Sequence, residues 1–224
     1  MNLQRILHPA SPVSMRHWLR LFRENGGVDP GYRRKAAFVL GIGLITAHTR
    51  RIERFRYGKR LKDLDVEHPP VFILGHWRTG TTLLHNLMTR DPALAYISSL
   101  QTFAPECYLH GGRAIEPIMS RLMPSTRPMD GMAFGTGVPQ EEEFAICNTC
   151  PYSFYLGWYF PRNMPELFRK YLLFDEIREE EREQWAKVYR EVVKKATFEE
   201  TVKAVTNAVG AGISLELRGS GMDQ

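Results

Sequence analysis

The sequence predicts an α/β fold: a parallel sheet flanked by helices, with the sheet incomplete toward the C-terminus. Three observations carry that expectation. Val71, Phe72, Ile73 and Leu74 form an apolar run too short for a buried helix and suited to a strand buried on both faces. Gly75 and Gly80 follow at once, and Leu83, Leu84, Leu87 and Met88 then recur at helical spacing, so the unit reads strand, glycine-containing loop, helix. The other strand candidates are few: residues 95–98 weakly, and residues 213–217 near the end. A parallel sheet needs several strands.

The chain has 224 residues, a formal net charge of +5 and three cysteines. That length supports one globular domain with a sizeable core. The positive balance suits an anionic ligand or surface, but much of it lies in the first sixty residues or so, and no nucleic-acid-binding motif accompanies it. Nucleic acid is therefore not an expected partner. Cys107, Cys147 and Cys150 give no disulfide framework. The lone Cys147-Asn148-Thr149-Cys150 lacks the two further ligands that zinc needs, so a pair of partly buried thiols is expected, with no metal. A reducing cytoplasm follows from that usage.

The first fourteen residues lack the basic start and apolar stretch of a secretory signal. Residues 16–23 form a short basic amphipathic helix, broken by Asn25, Gly26 and Gly27. Asp29 and Pro30 signal a new helix, expected to run to Tyr57 and stop at Gly58. Inside it, residues 36–47 are almost wholly apolar and are flanked by Arg33, Arg34, Lys35, Arg50 and Arg51. Twelve residues fall short of the roughly 20 that span a bilayer. Two readings compete: a helix packed on the core or walling an apolar pocket, or a peripheral membrane contact through residues 33–51.

The strand–loop–helix unit is organised for anion binding. Glycine lets the backbone approach an anion closely, and successive N–H groups of the loop and first helical turn converge on its oxygens. Thr81 and Thr82 add hydroxyls, and Arg78 adds a permanent charge able to grip two oxygens. A nucleoside-triphosphatase loop carries Lys directly after its second Gly, where this chain has Thr81; here the cation sits inside the loop.

The run from Pro70 to Leu84, with its Arg78-Thr79-Gly80-Thr81-Thr82-Leu83 centre, resembles the sulfotransferases that use 3′-phosphoadenosine 5′-phosphosulfate. It is most similar to the bacterial and protein-tyrosine type, whose loop has Ser where this chain has Thr79. The resemblance implies a P-loop nucleoside-triphosphate-hydrolase-like sheet. It also implies that Gly75, Arg78, Thr79, Gly80, Thr81 and Thr82 bind the donor's 5′-phosphosulfate, and that Arg78 stabilises charge on the transferring sulfuryl group. The family's acidic base shortly after the loop helix has no match: Ser98, Ser99 and Gln101 stand there, and none can act as a base unaided.

Residues 123–138 are the one long irregular segment, rich in Pro and Gly, and suit a binding loop; Arg127 and Asp130 are its candidate contacts. Pro139, Gln140, Glu141, Glu142 and Glu143 follow, another point of similarity to the bacterial sulfotransferases. Acids at a helix start favour the positive end of its dipole. Alternatively, mutual repulsion raises the pKa of one of Glu141, Glu142 or Glu143 so that it takes the proton from an attacking hydroxyl. His110 and His85 stand behind them. The aromatic run at 152–160 reads as core, as pocket wall or as a stacking surface for adenine. Pro165 opens a helical region. The acidic block at 175–183 reads as a solvated helix face, followed by a packed face at Trp185, Val188, Tyr189, Val192 and Val193.

The expected organisation is a helical extension (1–65), a sulfotransferase-like phosphosulfate-binding region (66–198) and an atypical tail (199–224). In the tail only Arg218 and Ser220 are of the kinds that would hold the donor's 3′-phosphate, and they lack a preceding apolar strand. A truncated or variant chain, weakly active, is the corresponding expectation. Three functions remain open: sulfuryl transfer from 3′-phosphoadenosine 5′-phosphosulfate to a small-molecule, lipid-like, carbohydrate or peptide hydroxyl; a non-catalytic or membrane-associated remnant; and a P-loop kinase or nucleoside triphosphatase, disfavoured by Thr81.

Overall fold

The computed structural model describes residues 12–66, 69–76, 78–127 and 131–210, with side chains of the final helix described as far as Phe198. It is built of helices. In chain order they are α1 (Met15–Glu24), a 3-10 turn (Pro30–Tyr32), α2 (Arg33–Ile45), α3 (Ala47–Asp63), α4 (Thr81–Met88), α5 (Ser99–Phe103), α6 (Tyr108–Leu122) and α7 (Glu143–Cys147). Two further 3-10 turns (Phe154–Trp158 and Pro161–Asn163) lead to α8 (Met164–Tyr171) and the long α9 (Glu179–Gly210).

The expected parallel sheet is absent among the described residues, where strand pairing is limited to the isolated antiparallel bridges Ser98–Pro139 and Thr126–Ala133. Residues 71–74 form no strand, and Val71, Phe72 and Leu74 are 67%, 56% and 90% exposed. A strand exists only when a neighbour takes its N–H and C=O groups. The other described candidate, residues 95–98, is committed elsewhere: Gln140 N–H donates to Ile97 O (2.8 Å), Ser98 bridges Pro139, and the adjoining Ser99 and Leu100 N–H groups donate to Val138 O (2.9 Å) and Thr136 O (2.8 Å). Residues 213–217, Arg218 and Ser220 lie outside the described residues. A P-loop-type sheet flanked by helices is thus not the architecture of the described residues.

What replaces it is a helical core. Trp18 and Leu21 of α1, Val39 of α2, Ile146 of α7, Leu156, Leu167 of α8, and Val188 and Val192 of α9 pack into one cluster. The expected packed face of α9 is therefore in place. Burial in this cluster lowers the pKa of His17 to about 4, against the bond its Nε2 makes with Cys147 O at 3.1 Å. The aromatic run supplies Tyr152 and Tyr155 to the same core, while Trp158 faces solvent. Cys107, Cys147 and Cys150 are buried free thiols, and desolvation pushes Cys107 and Cys150 up to about 12. Among the described residues no group of His, Cys, Asp and Glu is arranged to hold a metal ion.

The single helix expected after Pro30 is divided. Thr46 separates α2 from α3, and α3 runs on through Gly58 to Asp63. Gly43 is required where α2 crosses the chain ahead of α1, because a Cβ there would sit 2.6 Å from Val13 O. Arg50 locks the crossing, donating to Pro12 O (3.0 Å), Thr46 Oγ1 (2.6 Å) and Gly43 O. The apolar stretch at 36–47 packs partly on the core through Phe38, Val39 and Leu40. Among the described residues, no helix is long and apolar enough to cross a membrane.

One buried ion pair joins the two ends of the described chain. Glu53 of α3, 2% exposed, accepts from Lys195 Nζ of α9 at 2.6 Å and from His110 N–H at 3.1 Å. Lys195 also donates to Pro105 O at 2.6 Å and lies over the Tyr108 ring. Removing one partner of such a pair leaves an uncompensated buried charge. Lys195→Met should therefore cost about 3–5 kcal/mol in urea denaturation. The double variant Glu53→Gln/Lys195→Met should recover most of that loss; a single variant as stable as the parent would mean that water, not Lys195, satisfies Glu53.

Candidate functional site

The loop before α4 is held by local constraints. Gly75 lies against the helix start so closely that a Cβ would meet Thr81 Cγ2 at 2.6 Å and Thr79 Oγ1 at 3.0 Å. Thr79 Oγ1 donates to His76 O at 2.6 Å, which closes the turn. Arg78 has φ 65° and Gly80 φ 93°, both in the left-handed region; Gly80 is the residue capping α4, and its carbonyl accepts from Leu84 N–H at 3.0 Å. For Arg78 that backbone costs on the order of 1–3 kcal/mol, strain of a kind concentrated at binding sites. The loop therefore wraps ahead of the first turn of α4, whose leading N–H groups have no intrahelical partner. A helix of eight residues carries them.

Of the expected donor-binding residues, Gly75, Arg78, Thr79 and Gly80 are exposed, and Thr81 and Thr82 are half-buried at the first turn of α4. The Thr79 hydroxyl is spent on the turn. The Thr82 hydroxyl oxygen accepts from the Arg127 guanidinium at 3.3 Å, which leaves its proton free to be donated. That contact brings the irregular segment at 123–138 onto the loop helix, as its composition suggested for Arg127. Asp130 falls outside the described residues.

The acidic turn lies close to the same helix but does not act as one unit. Its three carboxyls go to three different hydroxyls. The Tyr155 hydroxyl donates to Glu141, Tyr189 Oη donates to Glu142 Oε1 at 2.9 Å, and Ser153 Oγ donates to Glu143 Oε1 at 2.5 Å. Glu143 opens α7 as the acid of its first turn, and the Glu142 carbonyl receives Ala145 N–H at 2.8 Å, so a helix-start role holds for this turn. Desolvation raises Glu141, the most open of the three, against the charge of Arg127, with the Glu142 charge adding to the rise. His85 of α4 is lowered by burial, and the Glu142 charge works against that shift.

Two residues passed over by the sequence now have clear roles. Ser98 and Gln101, unable to act as a base, form a capping box on α5: Ser98 Oγ accepts from Gln101 N–H (3.4 Å) while Gln101 Oε1 accepts from Ser98 N–H (2.7 Å). The Ser-x-x-Gln spacing was the signal that could have found them. Tyr155 and Tyr189 are partners of the acids that no local pattern announces, since they arrive from the 3-10 turn and from α9.

Burial pushes the Glu143 carboxyl up to about 8, partly offset by the Ser153 hydrogen bond and reinforced by the charges of Glu142 and Glu141. Its usual value is 4.5. Between these two values only the folded chain holds the proton, so the stability tied to Glu143 is full below about 4.5 and is lost as pH rises through about 8. Glu143→Gln should flatten that decline and raise the thermal midpoint at pH above about 8 relative to the parent. An unchanged pH profile would mean that Glu143 ionises freely in the folded chain.

Comparison with known proteins bears on this same region. Residues 69–145 match the model of the sulfotransferase family. Two curated relatives, each named omega-hydroxy-beta-dihydromenaquinone-9 sulfotransferase Stf3, from Mycobacterium bovis and Mycobacterium tuberculosis, are 33% identical over 146 residues. The match covers 65% of this chain and 37% of each relative, so the chain spans well under two thirds of their length. No solved structure matches it. Residues 69–145, which hold both the strained loop and the acidic turn, are thus the part of the chain that is similar to the sulfotransferase family.

Proposed function

We propose that the chain takes part in sulfuryl transfer from 3′-phosphoadenosine 5′-phosphosulfate to a hydroxyl on a hydrophobic, lipid-like acceptor. The observation that carries this reading is the loop itself: left-handed Arg78 and Gly80 flanking the start of α4, with Gly75 admitting the close approach. Open N–H groups, a cation and the Thr82 proton make a site for a doubly anionic group such as a phosphosulfate. The relatives' printed name gives a hydroxylated menaquinone as the substrate of those proteins, and Val71, Phe72, Leu83, Leu84 and Leu87 expose apolar surface on either side of the loop here.

In this reading the acceptor oxygen attacks sulfur in line, the sulfur–oxygen bond to the 5′-phosphate breaks, and 3′-phosphoadenosine 5′-phosphate leaves. Arg78 meets the negative charge that builds on the transferring group and on the leaving oxygen. Thr81 and Thr82 hold the donor. Glu141 receives the acceptor's proton. It is the open carboxyl of the three, desolvation lifts its pKa toward the working range, and Arg127 connects it electrostatically to Thr82 of the loop helix. Glu142 and Glu143 serve structure, tied to Tyr189 and Ser153. None of these steps calls on a metal ion.

Arg78→Ala should lower the rate of sulfuryl transfer roughly 100–1,000-fold, as loss of one group stabilising transition-state charge does. Thr82→Ala should chiefly weaken binding of 3′-phosphoadenosine 5′-phosphate in calorimetry. Tighter binding of ATP with magnesium than of that nucleotide would sink the reading in favour of a kinase. Glu141→Gln should remove the acid limb of the pH–rate profile while leaving nucleotide affinity unchanged; an unaltered profile would take the base role from it.

A further inference from the structure

We propose that the outward face of α3 is a docking surface for an anionic lipid bilayer, centred on Phe55 and framed by Arg51, Lys59 and Lys62. This goes beyond the proposed transfer reaction and does not depend on it. It also moves the sequence-based membrane contact from residues 33–51 onto α3.

The face follows from helical periodicity. Arg50 and Glu53 turn inward and are buried, and Tyr57 continues that side in contact with the Phe198 ring. On the opposite side, spaced by three and four residues, stand Arg51, Phe55, Lys59 and Lys62, all exposed. Phe55 is 89% exposed at the middle of this stripe, and Ile45, 75% exposed, projects at the joint of α2 and α3. Of the two acids in α3, Glu53 is committed to Lys195 inside the protein, which leaves Asp63 as the other. The exposed face is accordingly almost purely cationic with apolar points.

That combination selects the occupant. Basic side chains near an anionic leaflet each raise the binding constant roughly fivefold. A bare phenyl ring and an isoleucine gain nothing from a phosphate backbone in water, but they do gain from the acyl boundary just beneath the headgroups. A nucleic acid would reward the charges and leave Phe55 without a role. The face also lies near the loop side of the molecule. Lys62 O accepts from Lys194 Nζ of α9 at 3.2 Å, and the Phe72 ring packs on Tyr189 of the same helix. Those two contacts are five residues apart, about 7.5 Å along the helix axis. A membrane-seated α3 would hold the apolar loop region close to the source of a lipid-like hydroxyl.

Co-sedimentation of the full chain with vesicles tests the proposal, comparing phosphatidylcholine alone with an equal mixture of phosphatidylcholine and phosphatidylglycerol. Binding to the mixture and little to the neutral lipid is expected. Arg51→Gln/Lys59→Gln/Lys62→Gln should weaken it on the order of 100-fold, and Phe55→Ser roughly tenfold. Both sets of changes are at exposed positions, so thermal midpoints should stay within a degree or two of the parent. Phe55→Trp should show a blue-shifted emission on the anionic vesicles. Equal affinity for both vesicle types, or Trp emission that does not move on binding, would overturn the proposal. So would a short DNA duplex bound as tightly as the vesicles with Phe55→Ser altering neither, which would reassign the face to nucleic acid.

Discussion

The buried Glu53–Lys195 pair sets the geometry on which the rest depends. No ladder of strands is available to tie distant segments together among the described residues, so the helices are pinned by side chains instead. Glu53 joins α3 to α9 and, through His110 N–H, to the start of α6; Lys195 adds the Pro105 carbonyl between α5 and α6. With α9 held at Lys195, Tyr189 lies about 9 Å back along the same helix. From there its hydroxyl reaches Glu142 and its ring meets Phe72. A fixed α9 therefore places both sides of the candidate site, the acidic turn and the segment leading into the loop.

The acidic turn shows how three consecutive carboxylates coexist at one helix start. Each carboxyl bonds a hydroxyl of its own, from Tyr155, Tyr189 and Ser153, rather than its neighbour. The most enclosed one, Glu143, keeps its proton up to a pH of about 8. A neutral carboxyl there imposes no repulsion on Glu142 and demands no buried counter-ion. The other two acids have cationic or titratable neighbours instead: Arg127 acts on Glu141, and Glu142 acts on His85 of α4.

Legibility in the sequence followed the range of the forces involved. The loop and its helix were readable because their cause is local: Gly75, Gly80 and the threonines dictate a left-handed turn into α4 whatever surrounds them. The break after α1, the start of α7 and the buried stripe of α9 were readable for the same reason. The sheet was misread because a strand is a property of two segments. Val71, Phe72, Ile73 and Leu74 record apolarity, not a partner, and residues 95–98 pair with 136–140 instead. The Glu53–Lys195 pair spans 142 positions, so no local pattern could have revealed it. Tyr155 and Tyr189 looked like plain core aromatics until the acids they bond were placed beside them.

The loop shape ahead of α4 stands without a sheet beneath it among the described residues, and this has a physical explanation. In a parallel α/β unit, the strand before the loop is held by neighbouring strands, and the loop inherits its position from them. Here the same loop shape is over-determined from within. Gly75 is pressed against Thr81, the Thr79 hydroxyl clamps His76, and Gly80 leads α4 out in the left-handed region. Arg127 then fixes α4 from outside through Thr82. The strained backbone at Arg78 is kept by those contacts, not by a strand. Residues 71–74 are thereby relieved of a structural duty, and the apolar side chains of Val71, Phe72 and Leu74 stand open beside the loop.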